Sequence, residues 1–183
     1  MPNVLVTGQW ISTRWFLAAA LIFAAIRSPE AQDSAISQAH RGHAPNAIFV
    51  EILGNGGLYS LNYDRSLSNA ISVRGGYTKW SSVDLGDQPT KHYMFYLLML
   101  NGLLGQTPHR FEIGGGARFG RVEEENTPGA KSALKVTSTF GYRYQQPSQG
   151  WLFRCGFVPE YAVRGYSSRS LSFNVGVSAG HSF

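Results

Sequence analysis

The chain has 183 residues, enough for one domain, and charged side chains make up only 15% of them, against about 25% in ordinary soluble domains. A formal net charge of +5 would suit a nucleic-acid partner only if the basic residues shared a surface. Arg65, Arg74, Arg110, Arg118, Arg143 and Arg154 instead fall one or two to each predicted strand, so no nucleic-acid binding is expected, and the single Cys155 excludes an internal disulfide framework.

Taken from the start, Arg14 precedes the apolar run WFLAAALIFAAI at 15–26. Twelve residues are too few to cross a bilayer as a helix but suit the core of a signal peptide. Residues 1–31 are therefore expected to be a cleaved signal peptide, with Ala31 before the cleavage point, although Pro29 departs from the small-x-small rule. A short membrane-tethering helix is the alternative. Residues 32–45 are small and polar without periodicity and read as a flexible N-terminal segment. They include HRGH (40–43), two histidines three apart, but a metal site takes three or four ligands, so no metal is assigned.

From residue 46 onward, alternation with a period of two recurs. Asn55-Gly56 is a dipeptide that favours a type I′ hairpin turn. Centred there, the register sets Ile48, Val50 and Ile52 opposite Tyr63, Leu61 and Tyr59, and on the other face Phe49, Glu51 and Ala47 opposite Asn62, Ser60 and Asp64. A slip of one residue would scramble both faces. Runs at 70–80, 110–121, 132–145, 151–161 and 170–183 repeat the pattern, each with aliphatic or aromatic residues on one face and Ser, Thr, Asn, Arg, Lys or Glu on the other. Pro159 is expected to end or bulge its ladder. The segment 91–103 is apolar on both faces over 92–100; it reads as a strand because its neighbours require one.

Eight strands of about 9–14 residues, an even count, and short connections (66–69, 104–109, 146–150) alternating with longer polar ones (81–90, 122–131, 163–169) predict an all-β, eight-stranded antiparallel up-and-down transmembrane β-barrel over 46–183. Aromatics gather near strand ends: Tyr63, Phe111, Tyr142, Tyr144, Trp151 and Phe183 at one rim, and Tyr77, Trp80, Tyr93, Phe119 and Tyr161 at the other. A soluble lipocalin-like barrel would show the same alternation with its faces exchanged. The signal-like start, the low charge, the rim aromatics and a final alternating strand ending on Phe183, which resembles the signal read by the barrel-assembly machinery, favour lipid outside.

VEILGNGGLYSLNYDR (50–65), GYRYQ (141–145), FRCGFVP (153–159) and the terminal Phe183 resemble small outer-membrane β-barrel proteins of the kind common in Bacteroidetes-type bacteria. The resemblance covers most of 46–183. It implies a bacterial outer-membrane location and a barrel fold, and supplies no catalytic residues.

An eight-stranded barrel is just wide enough for side chains to fill it. A structural charge network is expected in the lumen, formed by Glu51, Arg74, Glu112, Arg118, Lys135, Arg143, Arg154 and Glu160, with Asp64 on the same face. Register across 146–150 puts Arg143 opposite Arg154, and Glu112 on the next strand is expected to bridge them. His181 and Ser182 are adjacent and so point to opposite faces. His92 near Ser81 and Ser82 is a remote histidine–serine candidate. Glu123–Glu125 is a solvated run or a cation-recruiting one, and Gly114–Gly116 lacks the lysine and helix of a phosphate loop. No catalytic residue, cofactor or metal is assigned. The reading is a monomeric outer-membrane barrel with a largely filled polar lumen, in contact with membrane lipids and lipopolysaccharide, serving a structural or surface-interaction role. The alternatives are a narrow conduit or binding site for a small or apolar solute, suggested by 92–100, and a lipid-modifying enzyme.

Overall fold

The computed structural model describes residues 44–82, 90–106, 108–125, 127–165 and 170–183. The expected signal peptide, nearly all of the flexible segment and HRGH lie outside the described residues. Eight strands run in order: β1 (Asn46–Ile52), β2 (Tyr59–Ser66), β3 (Ile71–Ser82), β4 (Lys91–Gln106), β5 (His109–Glu124), β6 (Lys131–Gln145), β7 (Gly150–Arg164) and β8 (Leu171–Ser182). Each pairs antiparallel with the next, and β1 closes on β8. The structure is a closed eight-stranded up-and-down barrel. Closure removes the exposed edges that an open sheet of this composition would leave.

Following register partners once round, from Ala47 through Asp64, Arg74, Met99, Gly116, Thr137 and Glu160, the path reaches Ser172. The seam, however, pairs Ala47 with Ser182, ten residues further along β8. That stagger tilts the strands by about 35–45°.

Alternation separates the faces. Leu98, Leu100, Ile113, Val136, Phe140, Phe157, Val175 and Val177 are exposed on the outside, while Arg74, Glu112, Thr137, Arg143 and Glu160 are buried within. The soluble-barrel arrangement, apolar inside and polar outside, is thus reversed. The doubly apolar segment is the strand β4, and its inner face contributes Phe95, Leu97 and Met99 to the interior. Trp80 and Tyr93 differ from expectation. Alternation turns both inward near the mouth, where their rings stack with centroids 4.1 Å apart, so they are not part of the outer aromatic rim. Strands also extend further than the polar composition of 122–124 suggests, because a β-ladder tolerates polar residues once it passes the apolar wall.

The first hairpin departs most from the rest. Its register is the one anticipated, with Ile48 opposite Tyr63 and Ile52 opposite Tyr59, but its turn is not type I′. That type needs positive φ at both central residues. Here positive φ occurs instead at Leu53 (57°) and Gly57 (100°), on either side of Asn55-Gly56. Gly57 N–H donates to the Gly54 carbonyl at 3.0 Å, and Leu53 N–H to the Leu58 carbonyl at 3.0 Å. Left-handed backbone at Leu53 bends the tip out of the wall, and Gly54, Asn55 and Gly56 are all buried.

Pro159 lies within β7, which continues to Arg164 and stays paired to β8 through Phe173. On its other side the β6–β7 ladder skips from Thr137–Glu160 to Phe140–Phe157. Proline has no N–H to contribute there.

Candidate functional site: the barrel interior

Among the described residues, six cationic side chains point inward (Arg74, Arg110, Arg118, Lys135, Arg143 and Arg154) against four carboxylates (Glu51, Asp64, Glu112 and Glu160). Taking charges out of water is costly unless each is paired and hydrogen-bonded, and three linked clusters supply the pairing.

At the lower end, nearer Asn46 and Phe183, Arg110, Arg143 and Arg154 are register neighbours across β5, β6 and β7. Glu112 lies between the last two. It binds Arg154 through both carboxylate oxygens, accepting from Nε at 3.0 Å and also from Nη2, and sits 3.7 Å from Arg143 Nη1. Such a two-point arginine–carboxylate contact fixes orientation as well as charge. Arg143 also donates to Asp64 at 3.1 Å and to Gln145 at 2.8 Å. Gln145 in turn donates to the Ala44 carbonyl at 2.9 Å, fastening the segment before β1 beneath the barrel. Arg110 donates to the Asn69 carbonyl at 3.1 Å.

The middle cluster centres on Arg74, which donates to Glu51, to Asn62 Oδ1 at 2.9 and 3.0 Å, and to Asn55 Oδ1 at 3.2 Å. Phe49 is the one aromatic ring here. The Arg74 guanidinium lies 5.1 Å and that of Arg154 4.8 Å from its centroid, so one buried ring serves two cations. Higher up, Glu160 accepts from Arg118 at 3.2 Å and from Lys135 at 3.0 Å. Arg118 also lies 5.4 Å from the Phe95 ring, which explains how an apolar inner face on β4 fits a polar interior.

Asn55 ties the first hairpin to these clusters. Its amide donates to Thr137 Oγ1 at 2.8 Å and to the Ser138 carbonyl at 2.9 Å on β6, across the barrel. Its Oδ1 accepts from Arg74, and its main-chain carbonyl from Arg118 at 3.3 Å. Ser138 falls where the ladder would meet Pro159. Asn55 therefore supplies a donor to a carbonyl whose register neighbour lacks one. Sequence reasoning treated Asn55 only as a turn residue and missed this role, together with those of Phe49, Asn62 and Gln145. A proline inside a long strand, five strands further along the chain than a glycine-flanked asparagine, was the available signal.

A cavity of about 10 Å³ beside Glu51, Glu112, Arg154 and Ser178 is at the limit for one water molecule. Cys155 is exposed on the outer wall, His181 is exposed and Ser182 buried. In the glutamate run, Glu123 pairs with Arg121 at 3.1 Å and Glu124 lies 3.9 Å from both Lys91 and Lys131. Gly114 and Gly116 face inward, where a β-carbon would strike Asn101 and the Leu98 carbonyl, so these glycines serve close packing of β4 on β5.

Among solved structures, the chain is similar to the N-terminal β-barrel domain of Pseudomonas aeruginosa OprF. The TM-score is 0.55 at 13% identity, over 78% of this chain and 99% of that one. At that identity the likeness is one of fold. No protein-family model matches the chain, and no curated protein matches it.

Proposed function

We propose that the protein is a small bacterial outer-membrane barrel, monomeric and surrounded by membrane lipid, whose interior is closed by its own side chains and by the inward-folded β1–β2 tip. Its role on this reading is structural or surface-interacting rather than catalytic or conducting. The observation that carries it is the inversion of the barrel: an apolar outer wall, including Leu98 at 50% and Val175 at 64% exposure, around an interior where Arg74, Asp64 and Arg143 are at most 1% exposed. In water that wall would be a very large exposed apolar surface; in a bilayer it is the expected one. Outward aromatics at two levels support the same orientation, with Tyr77, Tyr96, Phe119 and Tyr161 towards one end and Phe111, Tyr142, Trp151 and Phe153 towards the other. OprF enters as a likeness of fold consistent with this location.

The test combines location, closure and conductance. Outer membranes from cells expressing the full chain should contain the protein, and its band on a detergent gel should shift on boiling. The folded protein in planar bilayers should pass no ions. A band confined to the soluble fraction with no heat shift overturns the membrane reading, and stepwise conductance overturns the closed interior.

A further inference from the structure

The outer face of β3, β4 and β5 is layered by chemistry. Register places Ser81, His92 and Glu123 in one row across the three strands, and Lys79, Met94 and Arg121 in the next outward-facing row below. Tyr77, Tyr96 and Phe119 follow, with ring centroids 5.4 and 6.1 Å apart. Gly75, Leu98 and Ala117 come next, then Val73, Leu100 and Gly115.

Two cavities open on this strip, one at each end. The upper one, about 160 Å³, is lined by Lys79, His92, Tyr93, Met94, Arg121 and Glu123. The lower one, about 300 Å³, is an apolar groove lined by Ile71, Leu100, Gly102, Ile113 and Gly115. Glycine keeps the groove clear, since a β-carbon on Gly115 would meet nothing within 4 Å.

We infer that this strip is a binding site for one phosphate-bearing lipid of the surrounding membrane, its headgroup held at Lys79, His92 and Arg121 and one acyl chain lying over the aromatic row into the groove at Gly115. The inference rests on the membrane reading above and deepens it. Charge complementarity favours this occupant. Lys79 is an exposed cation on the outer wall, and the long stems of Lys79 and Arg121 can lie on apolar surface while their heads reach upward. Arg121 does so already, meeting Glu123 one row higher at 3.1 Å. His92 stands beside Ser81, with Nδ1 2.7 Å from Oγ, and adds a ring nitrogen to the same pocket.

Length favours it too. From Lys79 to Val73 is six residues, about 20 Å along a strand and about 15 Å along the barrel axis at a tilt of 35–45°. That is the depth of one leaflet of a hydrocarbon core about 30 Å thick. A neutral apolar ligand would have no use for the cations, and a free phosphate none for the groove. Glu123 opposes the ligand, because an incoming phosphate must share Arg121 with it.

The experiment is native mass spectrometry of the full-length folded barrel in detergent, with added dioleoyl phosphatidic acid or dioleoyl phosphatidylcholine. Each variant is first checked for the heat shift on a gel. Phosphatidic acid should bind about tenfold more tightly than phosphatidylcholine, and Lys79→Ser with Arg121→Ser should remove that preference, since each surface cation near an anionic lipid contributes a several-fold factor. Gly115→Leu should weaken phosphatidic acid binding severalfold by filling the groove, Glu123→Gln should strengthen it, and Arg65→Ser at the opposite rim should leave it unchanged. Millimolar inorganic phosphate should fail to displace the lipid. Equal binding of the two lipids, or indifference to the paired cation substitution, overturns the site while leaving the membrane reading intact. Displacement by inorganic phosphate alone overturns the acyl groove. A chain with no heat shift overturns the membrane reading and the lipid site with it.

Discussion

Gly54 and Gly176 touch backbone to backbone: a β-carbon added to Gly176 would lie 2.7 Å from the Gly54 Cα. The inward-folded tip of the first hairpin packs on β8 through this pair of residues without side chains. Gly176→Val should therefore push the tip off the wall. The expected cost is about 1–3 kcal/mol, typical of forcing carbon into a filled interior, read as a lower temperature for the gel shift. Gly75→Val, where the added group meets open space, should stay within about 0.5 kcal/mol. Equal shifts would mean that the tip does not pack where the structure places it.

Asn55 offers a sharper probe. Asn55→Ala strips acceptors or donors from Arg74, Thr137 and the Ser138 carbonyl together, for an expected loss of about 2–4 kcal/mol given what each unmet buried group costs. Pro159→Ala restores an N–H beside Ser138. The two substitutions together should cost less than the sum of each alone, by at least about 0.5 kcal/mol in a double-mutant cycle. Strict additivity would separate the proline from the asparagine.

Glu112→Lys should be severe, because it leaves Arg143 and Arg154 buried against a third cation; breaking such a pair from one side costs about 3–5 kcal/mol. Glu124→Lys, at the mouth and 3.9 Å from its two lysines, should cost about 1 kcal/mol or less. Refolding yield into detergent, followed by the heat shift, separates the two. Comparable yields would argue against Glu112 as the bridge between the arginines.

The outer wall has its own test. Leu98→Arg places a cation midway up the apolar face. In lipid this should cost about 2–4 kcal/mol; in detergent micelles, which deform around a charge, much less. A variant equally stable in both would deny that this face meets a bilayer.

Most of the barrel could be read in the chain because a β-strand has one local rule. Alternation named the buried partners of the wall, as with Arg74 and Asp64, and hairpin register followed from where the turns fall. Arg143 facing Arg154 is such a case. What could not be read came from contacts across the interior. Nothing near Asn55 in sequence says that its amide meets Ser138, and its neighbours fit a surface turn equally well. Likewise Phe49 looks misplaced on a polar face until two guanidinium groups are found 5.1 and 4.8 Å from its ring centroid. Trp80 and Tyr93 were assigned to the rim by proximity to strand ends, although parity alone would have turned them inward.

The stitch from Asn55 to β6 also constrains the order of assembly. Asn55 and Thr137 are 82 residues apart in the chain, and Pro159 on β7 brings no N–H to compete for the Ser138 carbonyl. Neighbouring hairpins can zip locally, but this contact must wait until β3, β4, β5 and β6 have been laid down. Long-range closures of that kind are slow. The nascent barrel therefore passes through a stage in which β1 and β2 are paired to each other while their tip still hangs free. The step that seats the tip is then also the step that ties the first hairpin to the sixth strand.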